Sequence, residues 1–155
     1  RKAWIIAQHV DVVGFDGVLR STADGRTWRE GNLDAQPRTL AGSRDGATVL
    51  ATTSEGLVHS TDAGLSWRWM DQAPLLLMVA FGDGDTVAGL TPDGQVHTST
   101  DAGGTWRATD LLAPDAQALY VSGEGEDLEI LVATGQSLMA STGDKPFAVL
   151  MSGLQ

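Results

Sequence analysis

The sequence predicts an all-β fold built from four successive units of four short antiparallel strands. Three observations carry this. A short phrase ending in an aromatic residue recurs along the chain, and its Trp28, Trp67 and Trp106 stand at a constant spacing of 39 residues. Between these marks, short β-branched and apolar runs alternate with turns rich in Gly, Asp and Pro. The period is so filled by these runs that no helix of ordinary length fits. A fixed period near 40 residues marks a repeat architecture.

The units fall at about residues 1–36, 37–73, 74–113 and 114–155. In the second, strands are expected over Thr39–Gly42, Thr48–Thr52, Leu57–Ser60 and Ser66–Met70. The third repeats the pattern over Leu76–Ala80, Thr86–Leu90, Val96–Ser99 and Thr105–Thr109. The fourth follows over Ala118–Ser122, Leu128–Ala133, Leu138–Ser141 and Phe147–Met151. The first fits over Trp4–Ala7, Val10–Phe15 and Val18–Ser21, with a small deletion near Gln8-His9. Linkers at Glu30–Pro37, Asp71–Pro74 and Asp110–Asp115 carry Pro and Asp, as surface turns do.

The repeated phrase lies where the chain must reverse between the third and fourth strands. Its copies are Ser60-Thr61-Asp62-Ala63-Gly64-Leu65-Ser66-Trp67 and Ser99-Thr100-Asp101-Ala102-Gly103-Gly104-Thr105-Trp106. An earlier copy from Ser21 to Trp28 carries its Asp one place late, at Asp24, before Gly25. A worn copy runs from Ser141 through Asp144 to Phe147. An Asp here is expected to accept backbone N–H bonds about two residues on. Gly25, Gly64 and Gly103 supply positive φ, and the Trp offers an apolar face to wedge between sheets. A four-stranded unit buries little alone, so stacking must create the core.

The phrase resembles the Asp-box, or BNR repeat, Ser-x-Asp-x-Gly-x-Thr-Trp. The second and third copies are similar to it throughout, apart from Ser66 in place of Thr. The resemblance covers nearly the whole chain. It implies a β-propeller of four-stranded antiparallel blades, with about four blades present as part of a six- or seven-bladed ring. Such propellers occur in sialidases and other glycosidases, in sortilin-type receptors and in photosystem II assembly factors. Bacterial proteins labelled sialidase-like or glycosyl hydrolase look similar. The resemblance implies an extracytoplasmic setting, although no signal peptide is visible.

Composition narrows the function. The net charge of −10 argues against nucleic acid or an anionic membrane surface as partner. The longest apolar run, Pro74–Phe81, is too short to span a bilayer. With no Cys there is neither a disulfide framework nor a Cys-based metal site. His9, His59 and His97 lack partners at metal spacing, the acidic turn from Glu124 to Glu129 lacks calcium-loop spacing, and nothing requires a cofactor.

Repetition filters the candidate chemistry. A residue recurring at the period does the same structural work in each unit, whereas an active site is single and breaks the period. Arg29, Arg68 and Arg107 each follow the Trp, so they occupy equivalent places and do not converge. Sialidase chemistry, as the resemblance implies it, needs a Tyr nucleophile paired with Glu, an acid/base Asp and three convergent arginines. Only Tyr120 is available, in an apolar strand, and the Phe/Tyr-Arg-Ile-Pro motif is absent from this stretch. No catalytic residue is assigned.

The box turns and first turns are expected on one rim, with the second turns and linkers on the other, where ligands usually bind. That second rim would collect Asp16, Glu30, Asp34, Glu55, Asp71, Asp93, Asp110 and Asp115. Trp69 breaks the period, with Ala108 as its counterpart, and is expected to face away from Trp67. Trp69, Asp71, Glu55 and Asp93 are the candidate ligand face. The leading expectation is a non-catalytic module binding a protein or carbohydrate. The alternative is a sialidase-like glycoside hydrolase whose catalytic residues lie largely outside this stretch. Self-association to complete a ring is a third expectation.

Overall fold

The computed structural model describes residues 2–6, 10–15, 18–22, 29–30, 35, 37–62, 64–143 and 145–153. Among the described residues sixteen strands form four sheets, each a simple meander in which every strand pairs antiparallel with its neighbour in sequence. The first sheet comprises β1 (Lys2–Ile6), β2 (Val10–Phe15), β3 (Val18–Thr22) and β4 (Arg29–Glu30). The second comprises β5 (Pro37–Gly42), β6 (Val49–Thr53), β7 (Gly56–Ser60) and β8 (Arg68–Trp69). The third comprises β9 (Met78–Phe81), β10 (Val87–Leu90), β11 (Gln95–Ser99) and β12 (Arg107–Leu112). The fourth comprises β13 (Ala116–Ser122), β14 (Glu129–Thr134), β15 (Ser137–Thr142) and β16 (Ala148–Ser152).

The expected strands are thus present, with shifts at their ends. β8 shrinks to two residues, because Ser66 is held by the preceding turn. β12 runs on to Leu112, so Asp110, read as linker, is strand. Thr109 accounts for the extension. Its hydroxyl donates to the Val96 carbonyl at 2.8 Å and accepts the Leu111 N–H at 3.1 Å, carrying the pairing past an irregular register. The acidic turn forms a single 3₁₀ turn, Gly125–Asp127.

The second and third sheets offer apolar residues on both faces, so the core lies between sheets. Leu50 and Leu57 of the second sheet meet Leu76, Val79, Phe81 and Val87 at the third. Leu90, Val96 and Leu111 of the third meet Val121, Ile130 and Val132 of the fourth. Each fully buried Leu or Val here contributes about 1.5–3 kcal/mol from leaving water. β6 and β10 are buried at every position, covered on both faces. β14 alternates, with Ile130 and Val132 buried and Leu131 and Ala133 half-buried, and β16 is exposed throughout. The far face of the fourth sheet is uncovered in this structure.

Turns of neighbouring strand pairs lock together at both ends. At one, the Ala102 N–H donates to the Asp85 carbonyl, the Asp83 N–H to the Gly123 carbonyl, and Arg44 pairs with Asp83 at 3.1 Å. At the other, the Ala113 N–H donates to the Gly94 carbonyl at 2.8 Å. The box turn therefore shares a rim with the first turns, and the second turn of the third sheet shares the opposite rim with a linker. Acidity is not confined to that second rim. The first carries Asp45, Asp62, Asp83, Asp85, Asp101, Glu124, Glu126 and Asp127, because Asp closes turns at both ends of the sheets.

Gly94 is where the linker comes closest. A Cβ on it would lie 2.6 Å from the Ala113 carbonyl oxygen, at a φ of 89°. Gly94→Ala is expected to destabilise the chain by about 1–3 kcal/mol, seen as a lower urea midpoint. Gly125→Ala, with open space around it, is expected to cost less. Equal midpoints for the two variants would deny the tight seam between turn and linker.

Candidate functional site

The two intact box turns have the same internal wiring. Asp101 Oδ1 accepts the Ser99 hydroxyl at 2.7 Å and the Thr105 N–H at 2.8 Å, while Oδ2 accepts the Thr105 hydroxyl at 2.8 Å. Asp62 accepts the Ser60 hydroxyl at 2.8 Å, the Ser66 N–H at 2.8 Å and the Ser66 hydroxyl. The carboxylate thus reaches a backbone N–H four residues on, further than the expected two. The reason is that Ser60 and Ser99 accept the intervening Gly64 and Gly103 N–H groups, at 2.8 and 2.9 Å. Gly64 and Gly103 have φ of 85° and 93°. Each indole N–H returns to the glycine carbonyl, Trp67 at 3.0 Å and Trp106 at 2.7 Å.

These bonds hold the carboxylates ionised. The Ser66 hydroxyl lowers the Asp62 pKa, and the Thr105 N–H with the Ser99 hydroxyl lowers that of Asp101. Asp45 and Asp93 are lowered by the hydroxyls of Ser43 and Thr91. A glycosidase general acid needs the opposite shift.

In the first copy, Ser21 belongs to β3, while Asp24, Gly25 and Trp28 lie outside the described residues, as does Asp144 of the worn copy. In that worn copy Ser141 donates to the Lys145 carbonyl at 2.6 Å. Phe147 precedes the Ala140–Ala148 pair as Trp106 precedes the Thr98–Arg107 pair, so Phe147 stands in the Trp position. It packs against the core between the third and fourth sheets. Beside it a cleft of about 440 Å³ opens, lined by Thr98, Arg107, Thr109, Leu128, Gly143 and Pro146 among others. An overlapping cleft adds Glu126, Thr142 and Lys145.

The candidate ligand face is more dispersed. Trp69 is 48% exposed, its ring lying over Gly56, next to Glu55. Register corrects its expected orientation: Val58 pairs with Trp69, so both share a face, and residues two apart on a strand also share one. Exposure, not direction, separates it from Trp67, which is 8% exposed. Asp71 is exposed in the turn after β8, and Asp93 sits in the corresponding turn of the next sheet.

The remaining candidates stay apart. Arg68 pairs in register with His59, and Arg107 with Thr98, one sheet on. Burial and the Arg68 charge depress the His59 pKa. Tyr120 is exposed on β13, opposite Leu131. Among the described residues no three His, Cys, Asp or Glu side chains are placed to hold a metal ion, and no helix is long and apolar enough to cross a membrane.

Comparison with solved structures decides the architecture. The chain is similar to YCF48 bound to D1 peptide, with a TM-score of 0.67, 18% identity and coverage of 95% of this chain and 55% of that one. It is also similar to YCF48 from Cyanidioschyzon merolae, with a TM-score of 0.68, 14% identity and coverage of 95% and 54%. A third is the GH74 xyloglucanase from Xanthomonas campestris, with a TM-score of 0.65, 20% identity and coverage of 92% and 23%. The chain has the β-propeller fold. It spans about half the length of the YCF48 structures. No protein-family model matches it, and no curated protein does.

The box carboxylates give a pH test. Because the folded pKa of Asp101 lies below the ordinary 3.8, its bonds stabilise fully above about pH 4 and are lost as pH falls below it. Wild-type urea midpoints should therefore fall below about pH 4. Asp101→Asn should be less stable at neutral pH and flatter through that window. Parallel curves for the two proteins would show that Asp101 makes no such contribution.

Proposed function

We propose that this chain is a non-catalytic Asp-box propeller module whose role is to bind a segment of another protein. The observation that carries the reading is the cleft between the third and fourth blades. It opens where the repeat fails, while the regular box carboxylates are consumed by their own turns. A site that breaks the period suits a single ligand. YCF48, of similar fold, is seen bound to a D1 peptide, which supports a protein segment as the ligand class. In this reading the regular Ser, Asp, Gly and Trp positions are structural, and the acidic turns are solvated rims.

A second reading is a sialidase-like glycoside hydrolase with its catalytic residues largely outside this stretch. The similarity to a GH74 xyloglucanase favours it. Arg68 and Arg107, on successive blades, and the four aspartates held ionised argue only against catalysis by this stretch itself.

Two measurements separate the readings. The chain, and the longest protein that contains it, are expected to leave a fluorogenic sialoside and a xyloglucan oligosaccharide uncleaved. In ¹H–¹⁵N spectra of the chain, a library of short peptides is expected to produce saturable shifts confined to blades three and four. Hydrolysis, or saturation by the oligosaccharides alone, would overturn the proposal.

A further inference from the structure

We infer that the cleft between blades three and four receives a tryptophan side chain from the bound protein segment, an assignment that rests on the binding-module reading. The argument comes from the preceding interface, where the same space is occupied by the chain itself. Between blades two and three, Met70 and Trp106 both pack on the core. A Cβ on Gly103 would lie 3.2 Å from the Met70 sulfur, which shows how closely that seam is filled.

Both fillers are missing one blade further on. Thr109 stands 39 residues after Met70, and its hydroxyl is turned back to the Val96 carbonyl at 2.8 Å. Phe147 stands in the position of Trp106 but is smaller and has no N–H. The turn before it is also one residue shorter, from Ser141 to Phe147 against Ser99 to Trp106. The cleft of about 440 Å³ therefore lies where the preceding seam is filled by Met70 and Trp106, beside three local changes. Its size falls within the range of about 300–1,000 Å³ usual for ligand pockets.

The lining selects the ring. Leu111, Leu128 and Ile130 provide apolar wall. The charged groups balance, Arg107 and Lys145 against Asp110 and Glu126, so the cleft has no net preference for an anion or a cation. Arg107 is exposed on the face turned to the cleft, and a guanidinium stacks on the face of an indole more favourably than on other rings. An aliphatic side chain would forgo that contact, and a sugar would leave the apolar wall unmatched.

The test uses N-acetyl-tryptophanamide, a neutral analogue of the side chain in a peptide, followed in ¹H–¹⁵N spectra of the whole 155-residue chain. Saturable shifts are expected at Thr98, Arg107 to Leu111, Leu128 and Gly143. N-acetyl-leucinamide and methyl glucoside should bind at least tenfold more weakly. Thr109→Met restores the filler found one blade earlier and should weaken binding at least tenfold; because it also removes the hydroxyl's bonds to Val96 and Leu111, its folding is checked by melting temperature. Arg107→Gln, at an exposed position, should weaken it severalfold and serves if the first variant misfolds. No shift at the cleft, or equal binding by either variant when folded, would overturn the inference. Peptide binding mapped elsewhere would sink the cleft alone. Saturation of the cleft by the tryptophan analogue with no peptide bound anywhere would sink the module reading alone.

Discussion

The second and third blades are apolar on both faces, and that single constraint organises the rest. A four-stranded meander covers neither face by itself, so it must be flanked on both sides. The second and third blades satisfy this, and their central strands are buried along their whole length. The box turn serves the same requirement. Its hydrogen bonds anchor Trp106, which packs on the core between the second and third blades, and in both intact copies the glycine carbonyl takes up the indole N–H, so the ring buries no unpaired donor.

The same constraint explains why irregularity matters. A cleft opens between the third and fourth sheets beside the copy of the turn that is one residue shorter and carries Phe147 in the Trp place. The spacing of these sheets is fixed by Val96, Leu111, Val121 and Ile130 deeper in the seam, and by the locked turns at the rims. The cleft is bounded by rigid strands on one side and turns on the other. A binding site made in this way inherits its geometry from the scaffold, with little ordering cost when a ligand enters.

Strands and turns were legible because period, Gly placement and apolar alternation all point the same way. Trp67 is buried and Trp106 half-buried, each at the position the 39-residue spacing marks. What remained hidden depends on contacts between units. The cleft lies where Thr109 takes the place that Met70 has one sheet earlier and Phe147 the place of Trp106, residues of neighbouring sheets that lie far apart in sequence. The signal was present in the worn copy from Ser141 to Phe147, but as a loss of pattern, with nothing to show that a cavity would follow. The orientation of Trp69 was misjudged because its face is set by register with Val58. The four-residue reach of the box carboxylate depends on the serine two places earlier taking the intervening N–H.

The claim that blades are held by cover on both faces is tested most directly by amide hydrogen exchange on the 155-residue chain. β6 and β10 should exchange slowest, at rates set by the most costly openings. β14 and β15, covered on one face, should exchange at least tenfold faster despite equally complete strand pairing. Equal protection across the three blades would contradict the account and would place the stability of each blade within its own sheet.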